Sequence, residues 1–363
     1  MKKIIALLSI CALTLGVVIP ALGTTIDPSS TVITGLTRDT SGGASPIVKA
    51  KWEANSDMYT DASTDPGAQI MPSGQYGVNK TIAICAIVTD PDGLADIDNV
   101  YADVFYPENI ALGSSHVALP NQSGEGCGKL MQEDALAKLS KADGIELFCN
   151  KVKNLNNNLP TFNQGYDYAE ICATDGELQK ETAAVYCGTK NLSYEDPDGS
   201  YKVWAVAQDK VGLQGILENH FSYLPLTAFE TDFTSVSYGN VRLNTHKIIS
   251  GNLLWEPTAS VKPTVRNVGN TRLSMKVSQD DMGLGMTNGV YNVKYDARVG
   301  SAASFANYVP YQTVTLSDAL DLSEMDEMDF SIDISKFPPG HASDSYTGNM
   351  TLGAVSAAHL TCP

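Results

Sequence analysis

The chain has 363 residues, a formal net charge of −17 and 43 % hydrophobic residues, with charged residues making up 18 %. An acidic surface of this kind repels nucleic acid and anionic membrane, which excludes both as partners. So modest a charged fraction beside so much apolar content also excludes a disordered acidic tail and requires a packed core.

The first residues, MKKIIALLSICALTLGVVIPALGTT, place two lysines before an apolar run from Ile4 to Ile19, followed by the small pair Ala21 and Gly23. This order predicts a secretory signal peptide over residues 1–23, cleaved on export. The run of about 16 residues falls short of the roughly 20 needed to span a bilayer, and an uncleaved anchor is the alternative. Loss of Lys2 and Lys3 with the leader takes the formal charge from −17 to −19. No further apolar span follows, so the mature chain is expected at the cell surface or outside the cell, without membrane insertion.

Residues 24–44 are rich in Ser, Thr and Gly and read as a flexible arm with a strand-like piece at Thr31–Leu36. Such an arm can donate a strand to a neighbour's sheet edge. From residue 45 the texture changes. PIVKAKWE alternates, with Ile47, Lys49 and Lys51 on one side and Val48, Ala50 and Trp52 on the other. KTIAICAIVTD reads as a buried strand, and DNVYADVFYP places Val100, Ala102, Val104 and Tyr106 on one face. Next, Leu130, Met131, Leu136 and Leu139 recur at helical spacing, and ELQKETAAVYCG is helix-like. Residues 126–188 are therefore expected to be a helical insertion. Strands resume at Gly199–Asp209 and GILENHFSYLP. Trp204 shares parity with Lys202 and Val206, and is expected in the core.

From residue 226 onward FTSVSYGNVRL, KPTVRNVGNTRLSMKVSQDDM, GVYNVKYDARV, YQTVTLSD, MDFSIDI and YTGNMTLGAVSA read as successive strands punctuated by Gly, Asn, Asp and Pro. Met328, Phe330, Ile332 and Ile334 share one face, and Arg266–Asn270 forms a turn. The fold class is mainly β: two Ig-like antiparallel β-sandwich domains, residues 45–225 with the disulfide-bonded helical insertion and residues 226–358, then a tail at 359–363.

Six cysteines remain after the leader, an even number that predicts disulfides in an exported chain. Two bridges are expected among Cys127, Cys149, Cys172 and Cys187, in any of three pairings. Cys85 reads as a buried thiol, and Cys362 as a candidate for linkage within or between chains. Asparagine sequons at Asn79, Asn121, Asn191 and Asn349 are candidate glycosylation sites.

The tetrapeptide DPDG occurs at 90–93 and 196–199, but the first follows a strand and the second precedes one. The better internal match sets VTDPDGLADIDN against VAQDKVGLQGILEN, both carrying D-x-x-G-L, which suits a type I turn between hairpin strands. Asp90, Asp92, Asp96 and Asp98 together form a candidate calcium site, because a hard cation favours clustered carboxylates. The competing reading is an exposed acidic turn. A second acidic run, Asp318 to Asp333, reads as a solvated face. The five histidines are scattered, with no metal spacing and no nucleophile motif. No cofactor is required, calcium being the one candidate, and the chain is expected to be non-catalytic.

The stretches PIVKAKWE, PGAQIMPSG, AIVTDPDG and NVYADVFYP, with SVSYGNV, KPTVRNVGNTRLSMKVSQDDM and YNVKYDARV, resemble secreted surface proteins of methanogenic archaea. The PTVRNVGN portion also resembles the sandwich of camelysin-type fibre subunits. The resemblance implies a glycosylated envelope, sheath or filament component whose partners are copies of itself, other envelope proteins or glycans. It implies no site residues. The alternatives are a glycan- or calcium-binding surface module and a secreted hydrolase with an unrecognised carboxylate pair.

Overall fold

The computed structural model describes residues 43–62, 67–108, 117–118, 126–258, 262–339 and 345–358, with 117–118 and 126–133 described as backbone alone. The signal peptide, the arm up to residue 42, Asn121, Cys362 and the Cys127 side chain lie outside that description. The described residues form one compact unit. It is mainly β, built from sheets that are antiparallel except where Ala68–Ile70 joins Phe221–Tyr223, around two hydrophobic cores.

The first core draws on β1 (Ile47–Asn55), β2 (Ala68–Ile70), β3 (Lys80–Thr89), β4 (Ile97–Tyr106), β5 (Val117–Ala118), β6 (Gly126–Ala135), β7 (Ala137–Lys138), β8 (Thr161–Phe162), β9 (Ala183–Leu192), β10 (Gly199–Asp209) and β11 (Gln214–Tyr223). One sheet runs β7-β9-β3-β1-β8 and the other β2-β11-β10-β4-β6-β5. Every residue of β3 from Ile82 to Val88 is fully buried. A strand is apolar on both faces when both are covered, here by the second sheet and by the helical insertion.

That insertion is shorter than the spacing predicts. It comprises α1 (Lys141–Ile145), a π-helical stretch (Glu146–Val152), α2 (Lys153–Leu155), α3 (Tyr168–Cys172) and α4 (Glu177–Lys180). Residues 126–135, expected to be helical, instead form β6 along the edge of β4. The second helix-like stretch stops at Glu181, in the left-handed region, and continues as β9, which pairs with the whole of β3. In both places an open sheet edge outweighs the weaker local helix preference. Ser140 caps α1 by accepting from the Asp143 amide (3.1 Å), and Asp167 caps α3 through the Ala169 and Glu170 amides.

Phe148, on the π-helical stretch, packs against Trp52 of β1 and Tyr168 of α3 at ring separations of 5.2 and 4.9 Å. Cys149 and Cys172 bridge the same stretch to α3. The other bridge corrects the sequence reading. Cys187 joins Cys85, its direct partner across β9 and β3. Cys85 is thus not a free thiol, and Cys187 has no partner within the insertion.

A register irregularity between Val48 and Ala50 turns β1. Beyond it Trp52 faces the insertion, while Lys51 and Glu53 point between the two sheets. Trp204 also departs from expectation. Tyr201, Val203, Ala205 and Ala207 take the inner face of β10, leaving Trp204 half-buried on the outer face beside Phe105, its Nε1 donating to Glu218 (2.7 Å).

The second core is enclosed by β12 (Phe229–Thr231), β13 (Lys247–Ile249), β14 (Thr264–Asn267), β15 (Leu273–Gln279), β16 (Met286–Thr287), β17 (Val290–Tyr291), β18 (Val293–Val299), β19 (Ala306–Tyr308), β20 (Val314–Leu320), β21 (Met325–Ile334) and β22 (Met350–Ser356). The larger sheet runs β12-β14-β21-β18-β19 with β13 alongside β21, facing a sheet β20-β15-β22. Met328, Phe330, Ile332 and Ile334 enter the core as their alternation predicts. Residues 233–243 do not form the expected strand and make only an isolated bridge, Leu243 to Ile334.

The two cores meet at the turn after β14. Asn270, fully buried, accepts from the Leu226 amide (2.7 Å) and donates to Leu224 O (3.0 Å). Its own backbone carbonyl accepts from Asp198 N (3.0 Å), in the loop before β10. Asn267, also buried, donates to Thr271 O and Asp321 O and accepts from Gly269 N. Asn270→Ala removes the partner of two half-buried backbone groups, Leu226 N and Leu224 O, and is expected to cost about 1–2 kcal/mol in denaturant unfolding. A loss under about 0.5 kcal/mol would show that this turn does not hold the halves together.

Candidate cation site

The two D-x-x-G-L segments adopt the same turn. Gly93 N donates to Asp90 O (2.9 Å) and Gly212 N to Asp209 O (3.1 Å). In each the aspartate side chain also accepts the amide two residues on: Asp92 N to Asp90 Oδ1 (2.7 Å) and Val211 N to Asp209 Oδ1 (2.9 Å). Gly93 and Gly212 supply the positive φ that closes each turn, +106° and +90°. Sheet pairing sets Asp209 opposite Ile97, and Lys210 N donates to Asp96 O (3.0 Å), so both turns lie at one end of the first sandwich.

Carboxylate oxygens of Asp90, Asp92 and Asp96 fall within 4.8 Å of one another. Asp98 does not join them; it lies exposed on β4, where alternation turns it away. Asp90 is only 5 % exposed and Asp209 1 %. Each has one oxygen held by the turn, and each Oδ2 is buried without a hydrogen-bond partner. Unpartnered buried carboxylate oxygens are costly, and a cation is the natural complement to several of them. Burial pushes the Asp90 carboxyl above its ordinary value, and the charges of Asp96, Asp92 and Asp209 add to the shift against the opposing Asp92 amide. Asp92 Oδ2 also accepts from Ala44 N (2.6 Å), which brings the start of the sandwich onto the cluster. Asp209 lies near enough for its charge to raise the Asp90 carboxyl, but it is not among the three clustered aspartates.

The remaining sequence candidates are separated. Asn79, Asn191 and Asn349 are exposed, as glycan addition requires. In the second acidic run the solvated-face expectation fails in part: Asp321 and Asp329 are buried and pair with Arg272 and Arg298. Burial first, then hydrogen bonding with Glu327, pushes Asp326 up to about 7. His246 Nε2 contacts both Asp296 (2.8 Å) and Ser331 (2.7 Å). Serine and aspartate thus share one ring nitrogen, whereas a nucleophile relay needs them on opposite nitrogens. An open depression between Tyr59–Ala62 and Leu155–Asn158 carries Asp61, both of whose oxygens are taken, by Asn156 Nδ2 and Gln69 N. No described helix is long and apolar enough to cross a membrane.

No protein family and no curated protein matches the sequence. Among solved structures, similarity extends to the secreted serine protease VesC of Vibrio cholerae, at 10 % identity and a TM-score of 0.17, covering 80 % of this chain and 50 % of that one. The chain thus spans half the length of VesC. It is also similar to the CsuC–CsuE chaperone–tip adhesion subunit complex of Acinetobacter baumannii Csu pili (12 % identity, TM-score 0.23, 80 % and 99 % covered). A third match is the C-terminal domain of the Streptococcus pyogenes antigen I/II-family protein AspA (10 %, 0.22, 85 % and 96 %). Scores this low transfer no role to the present chain.

Calcium at a hundredfold excess over its Kd is expected to raise Tm by roughly 4 °C. Asp92→Ala with Asp96→Ala should abolish the rise, and no rise in the unaltered protein would remove the site. Without metal, folded Asp90 keeps its proton to higher pH than the unfolded chain does. Stability of the metal-free protein should therefore fall as pH rises above the ordinary value of 3.8, and Asp90→Asn should flatten that slope in urea titrations.

Proposed function

We propose that the mature chain is a non-catalytic structural or adhesive protein of the cell exterior, an envelope-layer, sheath or filament component. The observation that carries this reading is the buried asparagine turn that fuses two complete β-sandwich cores into one body. Such a join passes load between sandwiches through the backbone. Two disulfides among the described residues support an oxidising compartment, which agrees with export by the N-terminal leader. Exposed sequon asparagines suit a glycosylated surface.

A second reading, a calcium-binding surface module, rests on the clustered carboxylates of Asp90, Asp92 and Asp96 and on the unpartnered Asp90 Oδ2. The two are compatible. An ion held by Asp90, Asp92 and Asp96 would fasten Ala44, at the start of the sandwich, to the first hairpin turn.

Electron microscopy and light scattering of the mature protein test the proposal. Ordered layers or filaments are expected with calcium, and deletion of residues 24–42 should abolish them if the arm donates a strand. A protein that stays monomeric and binds neither cells nor glycans overturns the structural and adhesive reading.

A further inference from the structure

Between the two sheets of the first sandwich lies a group of polar side chains that the cation site and the seam do not use. Lys51 and Glu53, two residues apart on β1, are both fully buried, and Asn219 on β11 is 6 % exposed. Lys51 Nζ contacts Glu53 Oε1 at 2.6 Å and the side-chain carbonyl oxygen of Asn219. It also donates to Val203 O (3.2 Å). Asn219 Nδ2 donates to the other carboxylate oxygen, Glu53 Oε2, at 2.7 Å. Amine, carboxamide and carboxylate thus close a ring, with one carboxylate oxygen on each nitrogen.

Three features of the fold enforce this meeting. The irregularity in β1 turns Lys51 and Glu53 inward. The pairing of Val203 with Asn219 puts the asparagine on the inner face of its sheet, in line with Tyr201 and Phe221. Gly215 lets β11 approach the start of β1, since a Cβ there would lie 1.9 Å from Pro46 O.

An ion pair in so dry a place is a poor stabiliser, because its desolvation offsets its attraction. Burial is also the first cause of a lowered Lys51 pKa, against the opposing influence of Glu53. That shift favours the neutral amine, which is the nucleophilic form.

We propose that Lys51 and Asn219 join covalently, through an intramolecular isopeptide bond formed by the folded protein itself with Glu53 as the proton carrier. In the neutral form of the pair, Lys51 Nζ adds to Cγ of Asn219. The Glu53 carboxyl takes one proton from Nζ at Oε1 and gives one to Nδ2 from Oε2. The Cγ–Nδ2 bond then breaks and ammonia leaves. A primary amine and a primary amide become a secondary amide and ammonia, nothing is oxidised or reduced, and Glu53 ends as it began. Fixed proximity supplies the rate, since the partners are held together in a water-poor site. The bond removes a buried charge pair and ties the first strand of the sandwich to its last, across 168 positions of sequence. It goes beyond the surface-protein reading and does not depend on it.

Intact-mass spectrometry of the reduced mature protein is the test, followed by tryptic peptide mapping. The expected result is a mass lower than the sequence mass by one ammonia and a branched peptide joining Lys51 to Asn219. Lys51→Arg and Glu53→Gln should each restore the full mass. Because either variant can fail to fold, the unaltered protein decides alone. A full sequence mass, or a linear peptide in which trypsin has cleaved after Lys51, overturns the proposal. So does an ammonia loss without the branched peptide, the signature of an asparagine closing on its own backbone.

Discussion

Both faces of the β7-β9-β3-β1-β8 sheet are covered, and much else follows from that constraint. It makes β3 apolar from Ile82 to Val88 and calls for an insertion to seal the outer face. Trp52 and Phe148 meet where that seal is made, and the Cys149–Cys172 bridge fixes the segment that carries Phe148. The same covering leaves Lys51 and Glu53 no route to water, so their polar atoms must be satisfied inside the sandwich by each other and by Asn219.

Polar chemistry in this molecule is concentrated where elements join. Asn270 and Asn267 stitch the two cores, Lys51, Glu53 and Asn219 bridge two sheets, and the Asp90 and Asp209 turns close one end of the first sandwich. Apolar burial is non-directional and gives each sandwich its bulk stability. The buried polar groups add direction, because a hydrogen bond forms only where donor and acceptor are aligned. The two kinds of interaction divide the work. The cores supply cohesion, and the polar contacts set which strand lies next to which and how the halves are joined.

The cation site and the Lys51 group differ in what the fold leaves undone. At Asp90 and Asp209 one oxygen of each carboxylate is committed to its turn, and the other is buried without a partner. In the Lys51 group every nitrogen and oxygen touches another member of the ring, and what remains is reactivity between them. The first arrangement would be completed by an ion at Asp90, Asp92 and Asp96, the second by loss of a small molecule. Both fasten the beginning of the sandwich, at Ala44 or at β1, to strands or turns that come much later in the chain.

Alternation alone determined much of this protein. Gly199–Asp209 is a strand with the predicted limits, Met328 to Ile334 enter the core on the predicted face, and a turn follows β14 as expected, although Arg266 and Asn267 still belong to the strand. The kinship of the two D-x-x-G-L turns was also legible, because an aspartate three residues before a glycine fixes its own hydrogen bonds locally. What depended on distant partners was not legible. Leu130 and Leu136 follow helical spacing, yet the open edge of β4 draws their segment into a strand. Cys187 lies near the cysteines of the insertion in sequence, but strand register sets it against Cys85. Lys51 shares parity with Ile47 and Lys49 in the sequence, yet a one-residue irregularity and a second sheet enclose it together with Glu53. Periodicity reports which side of a strand is which, whereas only the assembled sheets decide what each side meets.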